Sequence, residues 1–494
     1  MALLGALVLH DAMAQVGVLT YHNDNSRTGQ NTHETQLTPA NVNADRFGKL
    51  FSRPVDGDVY AQPLYFRDVV FAATEADSLY ALDANNAAAV LWRISLRDSA
   101  HGAAPGAITV SARGDLACAA ISPQVGVTAT PVIDPVRQVI YLEAFSKENG
   151  ALVHRLHALD IATGAERAGS PVVVTARGFD PAHQLGRAGL LLANDTVYVA
   201  YGSHCDKPRF QGWILAYDAT TLASKGAFAT APEHGKAAIW MSGAAPAADV
   251  QGNVFVATGD GWFAPPAEWG NSILKLTGGL TLLDYFTPFN QASLARHDGD
   301  LGSGGVLLLP GHELLAVGKG GTVYLLNRDA LTAGNRHYCV GCRADRQIVQ
   351  ELPAAITGGV WGMPAYWHDT VYVAGSEDIV RALRLGQGRL EPAAATQSRE
   401  MCEYPGCGLS ISANDTRDGI LWALQVGGYD SKEPAVLRAY AALDLGRLLY
   451  ASDQQSGRDS AGGAVRFTVP TVVNGKVYVG GAGQLTVFGL LDHH

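Results

Sequence analysis

Charge is scarce in this chain. Asp, Glu, Lys and Arg make up 17% of its 494 residues, and acids outnumber bases, for a net charge of −10. A chain without basic excess has nothing to neutralise phosphates, which excludes nucleic acid as a partner. Long apolar runs are also missing. None approaches the ~20 residues that a membrane-spanning helix needs. A basic start is absent, since the first Lys or Arg is Arg27. Even so, Ala2 to Leu9 is apolar and Ala12-Met13-Ala14 fits a small-x-small cleavage site, so residues 1–14 read as a signal peptide. His493-His494 reads as a tag remnant.

Cysteine is limited to six residues. Cys339 and Cys342 have C-x-x-C spacing, yet the repeat described below puts them on the face opposite Cys402 and Cys407, which argues against a shared four-cysteine zinc site. Three disulfides in an oxidising compartment are expected, with the protein periplasmic or extracellular.

What is abundant is glycine, 56 residues, and apolar residues, 47%. They are arranged in a repeat. The segments SLYALD, RLHALD, WILAYD, SILKLT, TVYLLN, IVRALR, VLRAYA and QLTVFG start at 78, 155, 213, 272, 322, 379, 436 and 484, so neighbours lie 48 to 77 residues apart. Each follows a two-strand module such as TPVIDPVRQVIYLEA or VPTVVNGKVYVGG. Eight units of four short strands predict an all-β, eight-bladed propeller of antiparallel blades. The last unit ends after its third strand. The segment 48–55 (GKLFSRPV) has the pattern of a fourth strand, so it is expected to cross from the N-terminus and close the ring, removing the open edge. Residues 48–494 then form one domain. Residues 15–47, polar and rich in turn formers, are expected to wrap one face, with His22 and His33 solvated.

Strand order assigns each loop to a face. The loops between second and third strands, and the crossings between blades, open on one face, here called the top. Cys118 and Cys205 lie there and are candidates to pair across it; Cys402 and Cys407 lie in the crossing from blade six to seven. Cys339 and Cys342 fall in a bottom loop of blade five. Asp206 (top loop of blade three), Trp240 (crossing three to four), Asp260 (top loop of blade four), Asp298 and Asp300 (crossing four to five) and Lys319 (top loop of blade five) share the top face. Gathered carboxylates suit a hard cation such as Ca2+. A Lys beside a flat Trp suits a planar anion. Asp and Gly are also ordinary turn residues, so the same pattern is compatible with plain loop chemistry. His154 and His157 flank a strand and are expected to be packed or solvated. No Ser, His and Asp set forms a hydrolytic triad.

The repeat, with its A-x-D turn and Trp-bearing following strand (LYALDANNAAAVLW, 79–92), resembles the propeller of pyrroloquinoline quinone (PQQ) dehydrogenases. The stretches YHNDNSRTGQN, GVTATPVID, GSHCD, DYFTPFNQ, LGSGGVLLL and FTVPTVVNGKVYVG resemble secreted bacterial PQQ-binding-like propellers. The resemblance implies that Trp240 stacks on the quinone and that Asp300, in His297-Asp298-Gly299-Asp300, is the catalytic base. It implies that Lys319 contacts the quinone oxygens, and that Asp260, in Thr258-Gly259-Asp260, holds the metal with Asp206. Departures are clear: Asp stands where the family has a metal-binding Asn, and no Glu falls near Asp206. The H-D-x-W-D run has lost its Trp. No vicinal Cys-Cys pair covers the quinone, and no C-x-x-C-H marks a haem domain. The implied activity is PQQ- and Ca2+-dependent oxidation of an alcohol or sugar. The alternatives are a non-catalytic propeller that binds a protein or glycan through its top face, and a metal-dependent hydrolase or lyase using the same acidic mouth.

Overall fold

The structure is a computed structural model, describing residues 17–491. Eight sheets radiate from a central channel, each with its strands ordered from the centre outward. Blade one is Leu64–Phe66, Val69–Ala73, Ser78–Asp83 and Val90–Ser95. Its inner three strands are buried on nearly every residue, while the outermost is largely exposed. This gradient explains the sequence pattern. Inner strands are covered on both faces by neighbouring blades and read as continuous apolar runs; only the outer strand meets water.

The ring closes as the sequence predicts. Blade eight is Thr471–Val473, Lys476–Gly481 and Gln484–Leu490, and Phe47–Pro54 pairs antiparallel with the last of these. Phe47 anchors the closure. It is buried against Trp422, Tyr450 and Phe488. Residues 1–14, expected to be a signal peptide, and the two terminal His residues lie outside the described residues.

The segment before the closing strand is a correction. Its first half does not lie over a face but runs inside the channel, touching the inner strand of all eight blades in order. Val18 exchanges backbone hydrogen bonds with Tyr65 of blade one, and Leu19 O accepts from Ile133 of blade two. Asn25 donates from Nδ2 to Leu192 O of blade three and accepts at its carbonyl from Ala248 of blade four. The carbonyls of Ser26, Thr28 and Gly29 accept from Leu308, Tyr366 and Ile411 of blades five, six and seven. Asn31 Nδ2 donates to Val472 O of blade eight. Residues 32–46 then do cross the bottom face, where Glu34 accepts from the Gly475 N–H in the first turn of blade eight.

Arg27 holds this inner ring. It is fully buried and donates to Pro246 O from both Nε and Nη2, and from Nη1 to Thr20 Oγ1 and the carbonyls of Tyr21 and Asp24. A buried guanidinium is tolerated only when its donors are met. His22, expected in solvent, is also fully buried. Burial lowers its pKa to about 3, so it is neutral. Gly29 is required here: it has φ of +69°, and a Cβ would sit 2.8 Å from His22 Nδ1. His33 is exposed, as expected. His154 and His157 are buried and bonded to Glu143 and Glu166.

All six cysteines are paired: Cys118–Cys205, Cys339–Cys342 and Cys402–Cys407. The loop bearing Cys339 and Cys342 is a second correction. It leaves the bottom of blade five, where Arg328 donates to His312 O, but climbs the outer strand of blade four. His337 O accepts there from Thr287 N–H, and Asp345 accepts from Phe289 N–H in the crossing above.

Candidate functional site

The inner ends of the crossings and top loops enclose a cup of about 230 Å³ over the channel. Trp240, Phe467 and Tyr60 give it aromatic walls; Arg187, Arg466 and Lys319 give it three cations; Asp206 and Asp300 give it carboxylates. Trp240 meets Phe467 edge-on, with ring centres 6.1 Å apart. Arg187, itself buried, lies over the rings of both Tyr60 and Phe467, at 5.5 and 5.3 Å. Tyr21 of the inner ring shares a smaller space with Trp361 and Phe467 of the cup.

Local backbone conformation places these groups. Cys205, Asp206, Met241, Ser242, Asp298 and Phe467 all have φ between +42° and +62°. Residues with side chains enter this region at a cost of ~1 kcal/mol or more, and such positions cluster where geometry serves a site. The Cys118–Cys205 bridge fastens the crossing from blade one to the top loop of blade three, and Cys205 lines the cup.

Asp300 is the most perturbed carboxyl of the cup. It is 6% exposed. Its Oδ1 accepts from the Asp260 N–H at 2.6 Å, and its Oδ2 lies 2.8 Å from Lys319 Nζ. Burial raises its pKa to about 6, while Lys319 and the Asp260 N–H pull it down. Burial works against the charge on Lys319, but Asp300 and Asp298 outweigh it and hold its pKa above the usual lysine value. Lys319 Nζ also lies 5.5 Å from the Trp240 ring centre and 2.7 Å from Asp298 Oδ1.

Of the six residues singled out in the sequence, four line the cup: Asp206, Trp240, Asp300 and Lys319. Asp260 stands behind Asp300, and its carboxylate pairs with Lys236 Nζ at 2.9 Å. Asp260, Asp298 and Asp300 each bring a carboxylate oxygen within 4.8 Å of the others. Asp206 is not of that group; it is exposed and accepts from Ser203 Oγ at 2.6 Å.

Tyr60, Arg187, Trp361, Arg466 and Phe467 were not singled out in the sequence. A signal for four of them exists. Tyr60, Arg187, Trp361 and Phe467 each stand four residues ahead of an inner strand, which begin at Leu64, Leu191, Ala365 and Thr471. The repeat therefore delivers that position to the channel mouth in different blades.

No protein-family profile matches the sequence, and no curated protein matches it. Solved structures do. The chain is similar to a quinohemoprotein alcohol dehydrogenase from Comamonas testosteroni at 15% identity and a TM-score of 0.67, covering 96% of this chain and 80% of that one. A europium-containing methanol dehydrogenase matches at 13% identity and a TM-score of 0.63, covering 96% and 98%. BamB from Moraxella catarrhalis matches at 16% identity and a TM-score of 0.55, covering 90% and 99%. The resemblance to the PQQ-type propeller stands at the level of the fold.

Proposed function

We propose that the cup binds a planar, polyanionic quinone of the PQQ type and that the protein oxidises an alcohol or sugar there. The observation that carries this reading is the convergence of Trp240, Lys319 and Asp300 on one small cup, with Arg187 and Arg466 beside them. PQQ is a flat tricarboxylate. An indole wall and three cations match its shape and charge. When bound, the quinone supplies the hydride acceptor.

The chain's own residues do the rest. Asp300, ionised above pH ~6, takes the hydroxyl proton of the substrate at Oδ2 or Oδ1 as general base. Lys319 keeps that carboxylate charged and fixes its orientation. Trp240 and Phe467 exclude water from one side. The three disulfides accord with a periplasmic or extracellular location.

A calcium ion does not fit the cup as it is built. The carboxylates of Asp260, Asp298 and Asp300 already have ammonium partners in Lys236 and Lys319. A divalent ion must displace one of them, so no step is assigned to a metal.

Reconstitution with PQQ, followed by absorbance spectroscopy and dye reduction over a panel of alcohols and sugars, tests the reading. Expected is a bound-quinone spectrum and turnover; neither appearing would remove it. A second reading, a non-catalytic propeller that binds a protein or glycan through the same mouth, is favoured by the self-neutralised carboxylates. Under it, ligand binding persists in an Asp260→Ala, Asp300→Ala double variant.

A further inference from the structure

A second cavity is larger than the cup. It has a volume of about 880 Å³ and lies between the climbing loop of blade five and the outer strand and top hairpin of blade four. That size is within the ~300–1,000 Å³ of small-molecule sites. Its aromatic members are Phe263, Tyr285 and Tyr338, with Phe263 and Tyr338 edge-on at 4.9 Å. Its cations are Arg336, Arg343 and Arg346.

These arginines differ from most cations of the chain. All three are exposed, and among the described residues none has an ion pair or hydrogen bond. Acids that contact this loop have other partners. Asp284 pairs with His337 and accepts from the Leu331 N–H. Asp345 is buried and accepts from Phe289 and Gln347. In a protein of net charge −10, three unpaired guanidiniums on one concave wall are a local reversal of sign. The Cys339–Cys342 bridge shortens the freedom of the loop that carries them.

We infer that this cavity is a second ligand site, distinct from the cup, for a short acidic oligosaccharide bearing carboxylates or sulfate esters. Guanidinium forks recognise both anions bidentately. The aromatic rings offer flat apolar faces to the C–H faces of pyranose rings. A site wide enough for several sugar units, with its charges spread over 11 residues of loop from Arg336 to Arg346, suits a ligand whose charges repeat along a chain. A long polyanion such as nucleic acid is disfavoured, because beyond the cavity it meets the acidic remainder of the surface.

Calorimetry on the full chain tests this, with four probes: a galacturonic acid tetramer, a sulfated heparin tetrasaccharide, neutral maltotetraose and a short oligodeoxynucleotide. Expected is binding of at least one acidic saccharide, none of maltotetraose, and weakening with added salt. The triple variant Arg336→Ala, Arg343→Ala, Arg346→Ala should lose affinity about tenfold or more. The matching Arg→Lys triple should fall between, since it keeps charge but loses the fork. Asp300→Asn and Trp240→Ala should leave this binding unchanged, which separates the site from the cup. Failure of both acidic saccharides to bind, equal affinity in the alanine triple variant, or oligodeoxynucleotide binding of equal strength would overturn the assignment.

Discussion

Lys319 Nζ lies 2.8 Å from Asp300 Oδ2 and 5.5 Å from the centre of the Trp240 ring. One ammonium thus joins the buried carboxyl to the aromatic wall, and the behaviour of the cup turns on it.

Asp300 fixes the expected pH dependence. Burial raises its pKa from 3.8 to about 6. The folded state therefore holds this proton more tightly than the unfolded chain does. That contribution to stability is present below pH ~4 and is lost as pH rises through about 6. Activity runs the opposite way, because a base must be ionised, so kcat/KM should rise through pH ~6. Asp300→Asn should lower kcat by ~100-fold or more and flatten both profiles. Lys319→Met removes the cation that favours ionisation and should move the midpoint upward. A kcat/KM profile flat between pH 5 and 8 would contradict the assignment.

Metal removal should change little. With Lys236 and Lys319 on the three carboxylates, EDTA should leave quinone binding and turnover intact. Lys236→Met frees the Asp260 carboxylate and should create Ca2+ affinity that the parent lacks, read by calorimetry. Loss of turnover in EDTA, restored by Ca2+, would show that the ammoniums yield to a metal.

The inner ring should be a stability element. Arg27→Met leaves the carbonyls of Pro246, Tyr21 and Asp24 without this donor. The expected cost is ~3 kcal/mol or more, measured by urea denaturation. A cost below ~1 kcal/mol would mean that the ring is dispensable to the blades.

Closure should be equally sensitive. Phe47→Ala empties a site enclosed by Trp422, Tyr450 and Phe488 and should cost ~3–5 kcal/mol. Amide exchange should speed up first in Gln484–Leu490, the strand it pairs with. Uniform exchange across all blades would argue against a local seam.

The Cys118–Cys205 bridge spans 87 residues of sequence. Replacing both with Ser should cost ~2–4 kcal/mol by chain entropy. It should also weaken quinone binding, because Cys205 lines the cup. Unchanged quinone affinity would limit the bridge to a structural role.

The number of blades, their order and the closing strand were legible in the residues alone. Those features rest on local period: each strand alternates or runs apolar according to how many blades cover it, and the signal recurs eight times. Strand counting also carried Asp206, Trp240, Asp300 and Lys319 to one mouth, since loop direction follows from topology. The remainder emerges only in the folded chain. The residues around His22 and Arg27 read as a solvated segment over one face because their partners lie on eight different strands, up to 441 residues away. The cations Arg187 and Arg466, and Lys236 beside Asp260, are ordinary loop residues until crossings from separate blades converge. Charge pairing between such loops is a matter of distance in space, which a repeat of strands does not encode.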